Sequence, residues 1–283
     1  MTIDPTSSGS FRAMGTEWWI GCDRPELVPE AELLVQDMEA RLSRFRADSA
    51  LSELNRERWA VDPFLAQVAT AAVRMQQLTA EAFDPTLGAQ LACLGYDRDW
   101  EEIDRSREVA SVSQPTGGLM IRVRGHQVRL EGPGHLDLGG IAKGWTIDLV
   151  HDDLLRRGAT RVLVDGGGDM RGTGGWMVGV GRDRAVRLDG GLATSSTRQR
   201  TWLGPAGQRF HHLLDPATGT SSASPVVEAT VQAADATTAD ALATALIVAP
   251  EATLACLQGL GASAWISDRE GREWITPDWK EAV

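Results

Sequence analysis

One helical turn separates Asp240 from Thr244 in the stretch TTADALATAL, whose other residues are small, apolar or threonine. Residues four apart share a helix face. A carboxylate and a hydroxyl together among alanines could hold a hard cation. Magnesium often takes only one or two protein groups and completes its shell with water and substrate phosphate, so a sparse site would be normal for it. The same pair also suits plain structure, because threonine bonds its own backbone and aspartate caps a helix or finds a salt bridge.

Three further stretches carry chemistry-bearing residues. In HLDLGGIAKGWTID, Asp137 and Lys143 bracket two glycines where a helix begins. Helix N-termini offer free N–H groups and partial positive charge to phosphates, and Lys143 would add a mobile point charge for a pyrophosphate. An ordinary helix start with a solvated lysine would read the same way. No GxxxxGK[ST] phosphate loop occurs. In VDGGGDMRGTG the glycines follow a strand, but the chain runs on into another strand rather than a helix, so a dinucleotide fingerprint is a poor reading. A turn close to a site fits better. In RFHHLLDPATG, Asp215-Pro216 with Gly219 marks a turn, and His211 and His212 stand just before it. One imidazole turned inward would suit general-base work near neutrality; a pair of surface histidines at a strand end is the alternative.

The chain that must position these groups has 283 residues and a formal net charge of −11. That balance argues against nucleic acid as a partner, since phosphate backbones reward basic surfaces. It also means that an anionic substrate needs cations placed locally. Three scattered cysteines give neither a zinc spacing nor a disulfide framework. The first residues lack a basic start, an apolar run and a cysteine placed for lipid attachment. The expectation is a cytoplasmic chain without a membrane span, although a chain trimmed of an export signal would look the same.

Hydrophobic spacing predicts a strand over 15–22, helices over 29–45 and 62–80, and a hairpin over 118–132 with its turn near Gly125. Asp62 is the expected cap of the second helix. A third helix is predicted over 139–158, ended by Gly158, then a strand over 160–169 and a hairpin over 176–191. A strand over 226–234 leads into the helix that carries Asp240. A final helix over 251–260 and short strands over 263–267 and 272–276 follow. The segment 97–108 is polar and charged, and FDPTLG reads as irregular. Hairpin-like pairs outnumber strand–helix alternations, which favours α+β with largely antiparallel sheets. No linker or repeat divides the chain, so residues 1–283 are expected to form a single domain.

The motifs also occur in a telling order. MGT, LSRFRADSALSELN, AFDPTLG, DLGGIAKGWTID, DGGGD, GLATSST, HHLLDPATG and TTADALATAL follow one another from about Met14 to Val248. This succession resembles the ApbE family, the FAD:protein FMN transferases. The resemblance implies a T-fold-related α+β architecture with packed helices and a flavin cleft between two interleaved lobes. It implies Mg²⁺ held by Asp240, Thr244 and the main-chain oxygen of Gly140. It places FAD against Met14, Phe45, Ala82, Phe83, Asp84, Asp137, Lys143 and Leu213. Family members usually carry tyrosine where this chain has Phe45, so stacking is kept and the phenol is lost at that position. His212 is the implied catalytic base, with Asp215 either orienting or replacing it. Two departures, Gly88-Ala89-Gln90 after FDPTL and the doubled serines Ser195 and Ser196, bear on loop shape and acceptor preference.

The implied reaction splits FAD at its pyrophosphate, passes FMN to a threonine or serine hydroxyl of an acceptor flavoprotein, and releases AMP. Alternatives that use the same residues are hydrolysis of FAD to FMN and AMP, and flavin binding without turnover.

Overall fold

The computed structural model describes residues 8–103, 117–181, 183–203 and 207–281. In chain order the elements are β1 (Ser8–Ala13), β2 (Thr16–Cys22), α1 (Val28–Leu42), α2 (Ala50–Glu57), β3 (Trp59–Val61), α3 (Pro63–Leu78), α4 (Gly88–Cys93), β4 (Met120–Arg124) and β5 (Gln127–Glu131). Then come α5 (Ala142–Arg156), β6 (Val162–Gly166), β7 (Asp169–Val180), β8 (Arg184–Ser196), β9 (Thr201–Leu203), β10 (Arg209–His211), β11 (Leu214–Asp215) and β12 (Thr220–Ser221). The chain closes with β13 (Val226–Ala233), α6 (Ala236–Val248), α7 (Pro250–Leu257), β14 (Ser263–Asp268) and β15 (Glu273–Ile275).

Eight strands form one sheet in the order β1-β2-β6-β7-β8-β13-β14-β15, and each neighbouring pair is antiparallel. A second, three-stranded sheet has the order β3-β5-β4, and β9-β10 and β11-β12 are short ribbons. The α+β expectation with antiparallel sheets therefore holds. No helix among the described residues is long and apolar enough to cross a membrane.

Helices α5 and α6 lie against the large sheet, and α6 is apolar almost all round, as a helix buried in a core must be. Alanines at 236, 239, 241, 243 and 245 keep it thin enough to sit between the sheet and its neighbours. Its N-terminus is held twice. Asp235 caps it by accepting from the Thr238 N–H at 2.7 Å. Asp148, on α5, accepts from the Ala236 and Thr237 N–H groups at 2.9 and 2.8 Å. The two helices are thus locked in register before any ligand binds. The central apolar core reaches from Met38 on α1 through α3 and α6 to Ile266 on β14.

Asp62 caps α3 as expected, accepting from Phe64 and Leu65 N–H at 2.9 and 2.8 Å. The hairpin turn falls at Gly125 and His126, between paired Arg124 and Gln127. Helix α1, however, stops at Leu42 rather than running to residue 45, because Ser43 is extended (ψ 122°). The chain leaves the helix there so that Arg44 and Phe45 reach the cavity described below. Strand β1, helices α2 and α4, and β3 were not expected, although Leu51 and Leu54 of α2 share one buried helix face. Residues 104–108 of the expected polar segment lie outside the described residues.

Candidate active site

A two-residue turn places the first wall of the site. Met14 and Gly15 join β1 to β2 with φ of 51° and 69°, the left-handed pair that a tight hairpin requires. Methionine adopts that backbone at a cost of about 1–2 kcal/mol, and the Met14 N–H is anchored on Glu39 Oε1 at 2.8 Å. The side chain lines a cavity together with Phe45, Ala82, Phe83, Asp84, Asp137, Lys143, His212, Leu213, Gly140, Asp240 and Thr244. Of the residues expected from sequence, only Asp215 is outside the lining. Its carboxylate accepts from the Ala217 N–H at 2.9 Å and its carbonyl from the Gly219 N–H at 2.8 Å, which is the work of a turn residue.

The second wall is aromatic and carries a cation that the sequence did not single out. The Arg44 guanidinium lies 4.2 Å from the Phe45 ring centroid and 4.7 Å from that of Tyr96. It donates to the Tyr96 carbonyl at 2.7 Å and pairs with Asp137 at 2.5 Å. Its Nη2 is enclosed and without a partner. Tyr96, the only tyrosine in the sequence, stands 5.6 Å from Phe45, so a phenol borders the cavity although position 45 lacks one.

The polar floor is built by the glycine turn after β6. Gly166 pairs with Asp169, and Gly167 and Gly168 form the two-residue turn between them with φ of 74° and 96°. This puts Asp169 at the start of β7, facing the first turn of α5, where its carboxylate ion-pairs with Lys143 and accepts from the Thr194 N–H at 3.0 Å. Lys143 also lies 3.9 Å from Asp240. Gly144 allows this approach, because a Cβ there would collide with the Ala236 carbonyl and come within 2.9 Å of Asp240 Cβ. Its N–H donates to Asp240 Oδ2 at 3.1 Å. Thr244 lies 3.3 Å from the Ser195 hydroxyl, and a Cβ on Gly140 would stand 3.1 Å from Thr244 Oγ1. Gly140, Asp240 and Thr244 therefore border one space.

Burial pushes Asp240 up to about 7, with Lys143 opposing and the Asp169 charge adding to the rise. Burial alone would lower Lys143; the two carboxylates outweigh it and keep the ammonium charged. His212 is half-buried with Nδ1 enclosed and unpartnered, and its ring lies edge-on to Tyr96 at 6.3 Å. Burial, then the charges of Arg200, His211 and Lys143, hold its imidazole well below the usual value, so it is neutral near pH 7. The neighbouring His211 is satisfied elsewhere. It accepts from Leu213 N–H at 3.3 Å and reaches the Ser222 carbonyl at 3.2 Å. The inward ring is His212. Asp169, Arg44 and Tyr96 were missed because only packing across tens of residues reveals them; the DGGGD motif was the one visible pointer, to Asp169.

The geometry has counterparts among known proteins. The sequence model of the ApbE family matches residues 8–266. A Vibrio cholerae protein named FAD:protein FMN transferase is 30% identical over 251 residues, covering 81% of this chain and 75% of the relative. An Escherichia coli protein of the same name is 26% identical, covering 95% of this chain and 87% of its own length. The crystal structure of the ApbE protein from Thermotoga maritima superposes with a TM-score of 0.83 at 27% identity, over 95% of this chain and 96% of that one. On the extent of these matches, the chain belongs to the ApbE family.

Proposed function

We propose that this protein transfers FMN from FAD to a threonine or serine hydroxyl of an acceptor protein, releasing AMP, with Mg²⁺ bound at Asp240, Thr244 and the Gly140 main chain. The observation that carries the reading is the convergence of eight separated sequence motifs on one cavity, with Asp215 the only expected site residue outside it. The names of the relatives point the same way. Residues 1–283 are read as one domain, since the family match covers 8–266 and the largest apolar cluster draws on residues from Met38 to Ile266.

The residues fit a magnesium ion. Their donors are hard oxygens, as that ion prefers. Two buried carboxylates, Asp169 and Asp240, face one ammonium, so a negative charge is left over in a site that burial makes costly to charge. When bound, the ion would supply Lewis acidity and charge neutralisation at the pyrophosphate oxygens.

The chain's own groups do the rest. Met14, Phe45, Ala82 and Phe83 wall the flavin, with Leu213 beside them. Asp84 is held in place by Thr86 and Gln76. Asp137 is fixed by Arg44, and Lys143 offers charge near the phosphates. The acceptor hydroxyl attacks the FMN phosphorus in line. The bond from that phosphorus to the bridging oxygen breaks, and AMP leaves with the oxygen. Neutral His212 takes the hydroxyl proton and passes it to solvent. Such a displacement depends on positioning and charge stabilisation more than on covalent help. Asp215 is assigned to the turn that carries His212 rather than to proton transfer.

The test is incubation with FAD, with and without Mg²⁺, followed by quantification of AMP and mass spectrometry of candidate acceptors. An FMN adduct on one hydroxyl residue, formed with stoichiometric AMP, is the expected result. Free FMN and AMP without an adduct would make the protein an FAD hydrolase. Absence of AMP would reduce it to a flavin-binding protein.

A further inference from the structure

Arg200, between β8 and β9, lines the same cavity as Lys143, His212 and Asp240. Its φ of 49° is in the left-handed region, uncommon for a residue with a Cβ. Among the described residues its guanidinium donates no hydrogen bond and forms no ion pair. By contrast its exposed neighbour Arg198 lies 3.8 Å from Glu228. The other cations of the cavity are committed, Lys143 to Asp169 and Arg44 to Asp137. Arg200 and the candidate base His212 thus line one cavity, and among the described residues no carboxylate neutralises the Arg200 charge.

A guanidinium is always charged and presents a planar fork of donors that matches phosphate oxygens in pairs. A half-buried fork without a partner among the described residues, on a left-handed backbone in the cavity that holds the candidate base, needs an anion that arrives with the substrate. We propose that Arg200 is a catalytic residue of this site, binding the non-bridging oxygens of the phosphoryl group that is transferred. The proposal rests on the reading of the cavity as an FAD site. The flavin ring system is uncharged, so the phosphate, not the ring, is the group that Arg200 recognises. Charge builds on the phosphoryl oxygens and the departing AMP oxygen as the reaction proceeds, and a cation fixed beforehand stabilises it without reorganising.

Arg200→Gln is compared with the parent by fluorescence titration with FAD and with riboflavin, which lacks phosphate, and by the transfer rate at saturating FAD. The expected result is at least a tenfold loss in FAD affinity or in saturated rate, with riboflavin affinity unchanged within twofold. Arg198→Gln should match the parent in every measurement. If Arg200→Gln does not fold, Arg200→Lys, which keeps the charge and loses the fork, is expected to lose at least threefold on the same readouts. FAD affinity and rate both within twofold of the parent would overturn the proposal. So would parallel losses for riboflavin and FAD, which would make Arg200 part of the wall. A parent that binds FAD but releases no AMP would refute the transferase reading alone, because the FAD-against-riboflavin comparison still judges Arg200. A parent that binds neither flavin would overturn both.

Discussion

Replacing Asp240 by asparagine should make the metal-free protein more stable at pH 8 and destroy its transferase activity. Asp240 is only 4% exposed and its carboxyl is pushed from 3.8 to about 7. Its folded value is therefore above its unfolded value. Below pH 3.8 both states are protonated and the group contributes nothing. Between 3.8 and about 7 the unfolded chain loses the proton that the folded chain keeps, so stability falls as pH rises through this window. Above it the full cost of the buried charge is present. At about 1.4 kcal/mol per pH unit this amounts to about 4 kcal/mol. Asparagine removes the charge and still accepts from the Gly144 N–H, but its amide N–H₂ lacks an evident acceptor, a loss of about 1–3 kcal/mol. The net expectation is a gain of about 1–3 kcal/mol at pH 8, vanishing or reversing near pH 4. Urea denaturation in the presence of a chelator, at both pH values, measures it. Adding Mg²⁺ at pH 8 should stabilise the parent and leave Asp240→Asn unmoved. A variant that is less stable than the parent at pH 8, or a difference that does not change with pH, would refute the electrostatic reading of this site.

His212 should stay neutral as pH falls past 6.5, so the acid limb of the transfer rate belongs well below that value. Its folded value is depressed, so its contribution to stability is intact above pH 6.5 and is lost as pH falls through the lower folded value. A rate profile with its acid limb at 6.5 would contradict this, as would a His212→Ala variant that transfers FMN as fast as the parent. Gly144→Ala forces a Cβ to within 2.8 Å of the Ala236 carbonyl carbon and 2.9 Å of Asp240 Cβ, so α5 and α6 must part. A loss of about 1–3 kcal/mol is expected by thermal melting, with Mg²⁺ stabilisation weakened. Met14→Gly relieves about 1–2 kcal/mol of left-handed strain and gives back about 0.5–1 kcal/mol in chain entropy. Its stability should equal or slightly exceed the parent's while its FAD affinity falls; unchanged affinity would remove Met14 from the flavin wall.

The parts of the site that lie on one helix were legible in the sequence, because a four-residue spacing fixes which side chains share a face. Asp240 with Thr244 is the clearest case. Turn chemistry was legible too, at Gly125 and at Asp215-Pro216. What could not be read was pairing across distance. Lys143 finds Asp169 only because the two glycines at 167 and 168 reverse the chain, and composition gives no measure of where the next strand will point. Tyr96 sits after a short helix in a stretch without periodicity, and nothing local says that it will meet Arg44 and Phe45. The end of α1 was misjudged for a related reason. Phe45 continues the helical spacing of Leu42, but tertiary demand on Arg44, which must reach Asp137, pulls the chain out of the helix three residues early.

The charges of the cavity can be accounted for one by one. Glu39 is used on the Met14 N–H, Asp84 on Thr86 and Gln76, Asp99 on the Glu101 N–H, and Asp137 on Arg44. Lys143 and Asp169 cancel each other. Among the described residues Arg200 has no ionic partner, and Asp240 has only Lys143 at 3.9 Å, which is already paired with Asp169. With six carboxylates against Arg44, Lys143 and Arg200 the lining is net negative and calls for a cation, while the Arg200 fork calls for an anion. A magnesium-bound pyrophosphate brings both in a single ligand. A chain with a net charge of −11 can bind such an anion only through fixed local charges of this kind, since its long-range field opposes the approach. The apoprotein therefore carries an electrostatic strain that substrate and metal relieve together, and each should bind more tightly in the presence of the other.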